Sequence, residues 1–214
     1  GLVLRQAAET GRTDILESYL RTAGPEAGVL AAFAGAELAA GDTVSAVSFI
    51  GAALNRPDAS PQVYAMAVSL ASITGDDYDS IYRAGAVRFE SPMVLMLSRV
   101  RAPLAAGEAP DRPDLVRRCL ALSGDSPEVL ETCASWYSAC GMPDSALALI
   151  ERSAMAQQRP GRTTMRMLCA AAAAAGDRER LAVHLAYAKS LYPDDEVISA
   201  MAEGPLHRGG DDER

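Results

Sequence analysis

Only a few side chains in this 214-residue chain could do chemistry, and their spacing decides what kind. Two histidines, His184 and His207, are available for proton transfer or metal ligation. Four cysteines, Cys119, Cys133, Cys140 and Cys169, could act as nucleophiles, zinc ligands or disulfide partners. None has the close pairing used by zinc ribbons or redox dithiols. Cys133 and Cys140 stand seven residues apart in one predicted helix, about 10 Å along its axis and too far for a disulfide. The cysteines therefore read as small buried hydrophobes of a reducing compartment, ahead of a metal site that includes His184. Adjacent acids, Asp76-Asp77 and Asp194-Asp195, could pair as metal ligands or as acid and base. Both pairs stand at predicted helix starts, where negative charge suits the helix dipole, and they read as caps. No phosphate-binding glycine loop, G-x-G-x-x-G, H-E-x-x-H or G-x-S-x-G occurs. No catalytic residue, metal or cofactor is expected, and the chain is expected not to be an enzyme.

The remaining distinctive residues point to packing. Trp136 and Tyr137 have apolar neighbours at helical spacing, which favours a core role over an exposed recognition anchor. Met93, Met96, Met165 and Met167 fit as fillers of irregular space between helices, ahead of an adaptable binding surface. His184 falls in a second helix with a structural or surface role, and His207 in a polar tail.

The elements that carry these residues follow from composition. Apolar residues make up 49% and charged residues 22% of the chain, while aromatics make up only 5% and alanine accounts for 41 positions. That profile excludes a disordered chain and disfavours strands, which want β-branched and aromatic side chains. A net charge of -8 removes the basic field that a nucleic acid or an anionic bilayer would need. No apolar run reaches membrane-spanning length, so no direct membrane insertion is expected. A cytoplasmic location is expected from the free cysteines, with a periplasmic one as the alternative if a signal was removed upstream. Gly1 in place of an initiator Met suggests a processed or excised chain.

Two punctuation series organise the sequence. Glycines at 11, 41, 75, 107, 141 and 176 are separated by 30 to 35 residues, and prolines at 25, 61, 92, 127, 160 and 193 by 31 to 36. The series interleave in constant order, so one unit of about 34 residues repeats. Each glycine is followed by an acidic or polar starter, as in Gly41-Asp42, Gly75-Asp76, Gly141-Met142-Pro143-Asp144 and Gly176-Asp177. A left-handed glycine ends one helix there and an Asp carboxylate caps the next. The prolines recur as Ser60-Pro61, Ser91-Pro92 and Ser126-Pro127, predicting an N-cap Ser followed by Pro in the first turn. Between the marks apolar residues recur at three and four, as in Val129, Leu130, Cys133, Trp136 and Tyr137.

A helix-turn-helix unit of this length resembles the tetratricopeptide repeat. The likeness rests on a small residue seven before the turn glycine (Ala34, Ala134, Cys169), an Ala-like residue five after it (Ala46, Ser80, Ala146) and Ala188-x4-Pro193 at the end. Val68, Val100 and Leu181 depart from the pattern. The unit around 92–124 departs most, with Arg99, Pro103, Pro110 and Pro113 where helices should run, and a shortened or broken hairpin is expected there. The resemblance implies an all-α, right-handed superhelical solenoid of about five to six antiparallel helix-turn-helix hairpins. One repeat domain is expected over 1–203, with a truncated first repeat and Asp194–Ala202 as a cap, and a polar tail over 204–214.

The family lines a concave groove with its first helices. Carried onto this chain, those positions are Gln62, Ala65, Ser69 and Ser72, then Val94, Leu97 and Arg101, then Glu128, Glu131, Ser135 and Ser138, then Thr163, Arg166, Ala170 and Ala173. The floor is small and mostly uncharged, with Arg101, Arg166, Glu128 and Glu131 to set register. Family members that clamp a terminal carboxylate use Lys and Asn there. This chain has only Lys189 and Asn55, both elsewhere, so no such clamp is expected. The leading expectation is a non-catalytic interaction module or scaffold that docks a protein or peptide segment. The alternatives are the repeat arm of a larger enzyme or regulator, such as a glycosyltransferase or transcriptional activator, and a self-assembling homo-oligomeric scaffold.

Overall fold

A computed structural model describes residues 26–203 and Ser18. The chain divides into two compact units between Glu108 and Ala109. Eleven α-helices and no strand occur among the described residues. The first unit holds α1 (Ala27–Ala39), α2 (Thr43–Leu54), α3 (Pro61–Thr74), α4 (Tyr78–Phe89) and α5 (Met93–Ala105). The second holds α6 (Pro113–Ser123), α7 (Pro127–Ala139), α8 (Pro143–Ala156), α9 (Arg162–Ala174), α10 (Arg178–Leu191) and α11 (Glu196–Glu203). The truncated first repeat, with Gly11 and Pro25, and the tail over 204–214, with His207, lie outside the described residues.

Helices that follow one another in sequence pack as hairpins, α1 on α2 and α3 on α4 in the first unit, α7 on α8 and α9 on α10 in the second. The glycine series makes the turns. Gly75 ends α3 at φ 80°, a left-handed conformation that a side chain disfavours, and Gly41, Gly107, Gly141 and Gly176 share positive φ. Aspartates then cap the second helices. Asp42, Asp77 and Asp177 accept the backbone amides of Ser45, Ser80 and Arg180, each at 3.0 Å. The cap of α4 is thus Asp77, one residue later than the Gly-Asp pairing suggests. At α8 the capping position is Met142, with Pro143 opening the helix and Asp144 contributing charge in its first turn.

The Ser-Pro series works differently from its expected chemistry. Ser60 and Ser126 occupy N-cap positions ahead of Pro61 and Pro127, but neither side chain accepts a capping bond. Ser91 instead follows Glu90 in the left-handed region, at φ 58° and 55°, and Pro92 precedes the first residue of α5. The prolines fix the entry; the serine hydroxyls contribute no cap. Around residues 92–124, α5 runs unbroken through Arg99 and Pro103, and Pro113 opens α6. The departure from the repeat falls in the connection instead, where Arg112 enters α6 at φ 57°.

Small side chains let the helices of each unit approach closely. Ala27, Leu30, Ala34, Ala46, Ile50, Ala53, Ala59, Val63, Ala67 and Leu70 form one buried cluster in the first unit, with Phe33 stacked on Phe49 at 5.1 Å beside it. In the second unit Leu130, Cys133, Ile150, Met165, Cys169 and Ala188 are fully buried. Polar bonds between successive repeats reinforce this packing at nearly constant separation. Asp58 accepts from the Ala27 amide 31 residues earlier, and Tyr192 donates to the Pro160 carbonyl 32 residues away. Trp136 is buried, and its indole N–H donates to the Asp111 carbonyl at 2.7 Å. That bond ties the segment before α6 to α7.

Candidate functional site

First-helix faces place the expected groove residues in three different situations. On α3, Gln62 and Ser69 are exposed, whereas Ala65 and Ser72 are buried. On α5, Arg101 is exposed, Val94 half-buried and Leu97 buried. On α7, Glu128 and Ser138 are exposed and Ser135 half-buried; on α9, Thr163, Ala170 and Ala173 are exposed. The serines contribute little free polarity, because Ser69 and Ser135 donate to the carbonyls four residues back, at 3.0 Å each.

Glu131 and Arg166 are engaged within the second unit. One carboxyl oxygen of Glu131 accepts from Thr164 Oγ1 at 2.7 Å, from Ser153 Oγ at 3.0 Å and from Gln157 Nε2 at 3.4 Å. It therefore joins α7 to α8 and α9. Arg166 forks onto Asp195, with Nε 3.1 Å from both carboxylate oxygens and Nη2 at 2.9 Å. Asp195 is buried and also accepts the amides of Val197 and Ile198 at 3.1 Å, which caps α11. The Arg166 hydrogen bond holds the Asp195 carboxyl below the usual carboxylate range. Burial opposes it, while the Ile198 amide and the charges of Arg166 and Arg162 assist.

A second set of charged groups lies away from the expected positions. Arg99 on α5 is buried and donates to Asp79 at the start of α4, with its guanidinium 5.0 Å from the Tyr78 ring centre. Burial works against the Asp79 carboxylate, but the hydrogen bond and charge of Arg99, aided by Arg83, hold it below its ordinary range. His184 Nε2 lies 3.2 Å from a Glu151 oxygen whose partner oxygen is 3.5 Å from Arg180. His184 and Glu151 border a cleft of about 330 Å³ lined also by Met155, Leu168 and Tyr187. Arg166–Asp195 and His184–Glu151 pair across 29 and 33 residues, close to one repeat, and Arg99–Asp79 across 20, from one helix to the next.

Burial pushes the Cys119 and Cys169 thiols up to about 11, which keeps them protonated. Among the described residues no group of three or more His, Cys, Asp or Glu side chains is placed to hold a metal ion. Among the same residues no helix is long and apolar enough to cross a membrane.

No family model matches the chain, and no curated protein matches it in sequence. Solved structures match it in fold. A chain of the APC/C hetero-tetramer Cut9-Hcn1 superposes with a TM-score of 0.71 at 14% identity over 97% of this chain, which spans 42% of that one. PilW, a type IV pilus biogenesis factor, gives 0.72 at 12% identity over 94% of this chain and 97% of its own. A tetratricopeptide repeat protein from Parabacteroides merdae gives 0.68 at 16% identity, over 93% and 78% of the two chains. With the period, the left-handed turn glycines and the helical hairpins already described, these likenesses establish a tetratricopeptide-like, all-α helical-repeat fold.

Proposed function

We propose that the chain is a non-catalytic protein-interaction module whose first-helix faces take a segment or helix of a protein partner. One observation carries the reading: α7 and α9, joined through Glu131 and Thr164, expose Ser138, Ala170 and Ala173 with Ser135 half-exposed. Side chains this small let a partner backbone come close, and Glu128 and Thr163 stand on the same faces. In the first unit Gln62, Ser69, Val94 and Arg101 are the accessible members of the corresponding set. The internal bonds of Glu131 and Arg166 make them supports of this face rather than its contacts. One structural neighbour, YrrB, is described as a tetratricopeptide repeat protein with an unusual peptide-binding site, and it supports the reading by analogy. The net charge of -8 favours a protein partner over nucleic acid.

Crosslinking mass spectrometry from native extract tests the proposal, using the wild-type chain and a Ser138→Arg, Ala170→Arg variant. Both sites are exposed, so the variant should keep its helical circular dichroism while its crosslinks to the partner disappear. Crosslinks that survive in the variant, or that map to α8 and α10, would overturn the assignment of the face.

A further inference from the structure

Three arginines meet at one end of the exposed face of α9. Arg162 opens the helix, and Arg166 and Ala170 follow it at i+4 and i+8 on one stripe. Arg159 approaches from the connection before α9, and Tyr192 from the connection between α10 and α11. The guanidinium carbons of Arg159 and Arg162 lie 5.8 and 5.4 Å from the centre of the Tyr192 ring. That ring is itself fixed, because its hydroxyl donates to the Pro160 carbonyl at 2.8 Å. Arg159 Nη2 also donates to the Leu191 carbonyl at 3.3 Å, and Arg162 Nε stands 3.4 Å from Asp195. Both side chains are held yet accessible, since Arg159 is exposed and the Arg162 side chain is 56% exposed. An arginine positioned before its ligand arrives loses less entropy on binding.

Charge at this platform is not balanced. Asp195 is the carboxylate that reaches it, and Asp195 is buried, forked by Arg166 and bonded to the amides of Val197 and Ile198. Three guanidinium groups around one carboxylate leave an excess of two positive charges. Among the described residues the Nη groups of Arg162 and Nη1 of Arg159 meet no acceptor, and Arg159 pairs with no carboxylate. Asp194 and Glu196 are exposed nearby in the chain, but neither pairs with any of the three arginines. Glu128, the exposed acid at the start of α7, already has a partner. The whole chain carries a net charge of -8, yet salt screens exposed charges beyond about 8 Å, so the local excess decides what binds there.

We infer that Arg159 and Arg162, held on Tyr192, bind two neighbouring side-chain carboxylates in a segment of a protein partner. The inference rests on the reading of the α7 and α9 faces given above and adds what the segment carries: small or uncharged residues over Ser138 and Ala170, then an Asp or Glu pair at the N-terminal end of α9. The two guanidinium carbons are at most about 11 Å apart, because both stand over one ring. Adjoining residues of an extended chain point to opposite sides, so two acids in succession straddle such a ring. Ala170 stands eight residues beyond Arg162, about 12 Å along the helix, which places about four extended residues between the acid pair and the part over Ala170. Arg166 makes no contact with the segment; it fixes Asp195 and thereby Arg162. The terminal carboxylate of the partner has no role.

The test uses the full chain and rhodamine-labelled, C-terminally amidated peptides of about twelve residues, in which alternating Ala and Ser flank a central Glu-Glu. Companion peptides carry Gln-Gln or Lys-Lys at the centre. Anisotropy at low salt should show the Glu peptide half-saturating below about 200 micromolar and both companions about tenfold or more weaker. Arg159→Gln, which leaves no carboxylate unpaired, should weaken the Glu peptide several-fold. Arg159→Gln with Arg162→Gln should weaken it about tenfold or more, with unchanged circular dichroism. Arg117→Gln with Arg118→Gln removes the same charge from exposed positions of α6 and should change nothing. Equal weakening by that pair, or equal binding of the Gln-Gln peptide, would overturn the proposal. Ser138→Phe with Ala170→Phe, bulky and uncharged, separates the two readings. If it abolishes binding while the arginine variants do not, the face stands and the acid site falls; if the arginine variants alone weaken binding, the acid site stands and the face falls. Tighter binding after Asp211→Asn, Asp212→Asn and Glu213→Gln would put an acidic segment of the chain itself on the platform and overturn the assignment to a partner.

Discussion

Arg99 lies buried in the first unit with its guanidinium on the carboxylate of Asp79, one helix away. It stands eight residues before a turn glycine, the place where other repeats carry Phe33, Ala67, Cys133 and Leu168, all buried and apolar. Removing one partner of such a pair weakens the compensation of a buried charge, whereas an apolar replacement of similar length removes the charge itself. Asp79→Asn should therefore destabilise the first unit by about 2–4 kcal/mol, and Arg99→Met by less than about 1 kcal/mol. Urea unfolding followed by circular dichroism measures both, and an Arg99→Met variant as damaged as Asp79→Asn would refute the account.

Stability should depend on acid in a specific direction. The folded-state values of Asp79 and Asp195 are depressed, so their contribution is complete above the ordinary carboxylate range and is lost as pH falls through the folded values. The urea midpoint should be flat from about pH 7 to 5 and drop below about pH 4. Asp79→Asn and Asp195→Asn should each shallow that drop. A midpoint that declines between pH 7 and 5 in the same measurement would contradict this assignment.

Asp195 performs two jobs, pairing with Arg166 and capping α11. Asp195→Ala should fray α11, raising amide hydrogen exchange at Val197 and Ile198 by about tenfold or more, since a lost cap costs about 1 kcal/mol and the freed arginine adds to it. Amides of α7 should exchange as before. Uniform acceleration across the second unit would mean that Asp195 is a global rather than a local support.

Glu131 gathers three donors on one carboxyl oxygen. Glu131→Ala leaves Ser153 and Thr164, both buried, without that acceptor, and should cost about 1–3 kcal/mol. Trp136, the single tryptophan, sits on the same helix and reports unfolding of the second unit by fluorescence. An unchanged fluorescence midpoint would show that the three donors find other partners.

The thiols should divide by accessibility. At pH 8 a thiol with a value of about 11 is ionised only to about one part in a thousand, so Cys119 and Cys169 should resist alkylation in the folded chain. Cys140, half-buried at the end of α7, should label first, though more slowly than an unfolded thiol because partial burial also raises its value. Mass spectrometry after iodoacetamide treatment gives the order directly.

Some of this architecture was readable because local chemistry enforces it. A helix must stop where a glycine takes positive φ, and a carboxylate one or two residues later finds free amides, so Gly41-Asp42 and Gly176-Asp177 announce a turn from sequence. The Ser-Pro marks were readable as positions but not as caps, because proline alone suffices to set the entry. The contact face was much less legible. Whether Ala65 or Leu97 is open depends on how neighbouring helices lean, and whether Glu131 or Arg166 is spoken for depends on residues more than 20 positions away. Arg99 misled in another way: it read as a residue that should break the hairpin, while its partner lay one helix earlier.

The regular reach of the bonds has a mechanical consequence. In the second unit Glu131 meets Thr164 across 33 residues, His184 meets Glu151 across 33 and Arg166 meets Asp195 across 29, each fastening one repeat to the next. These fastenings lie in series along the chain. A pull on the C-terminal side meets the Arg166–Asp195 fork first and must part it before load passes to Glu151 and His184. The unit should yield link by link, with α11 released first, as a zipper gives way.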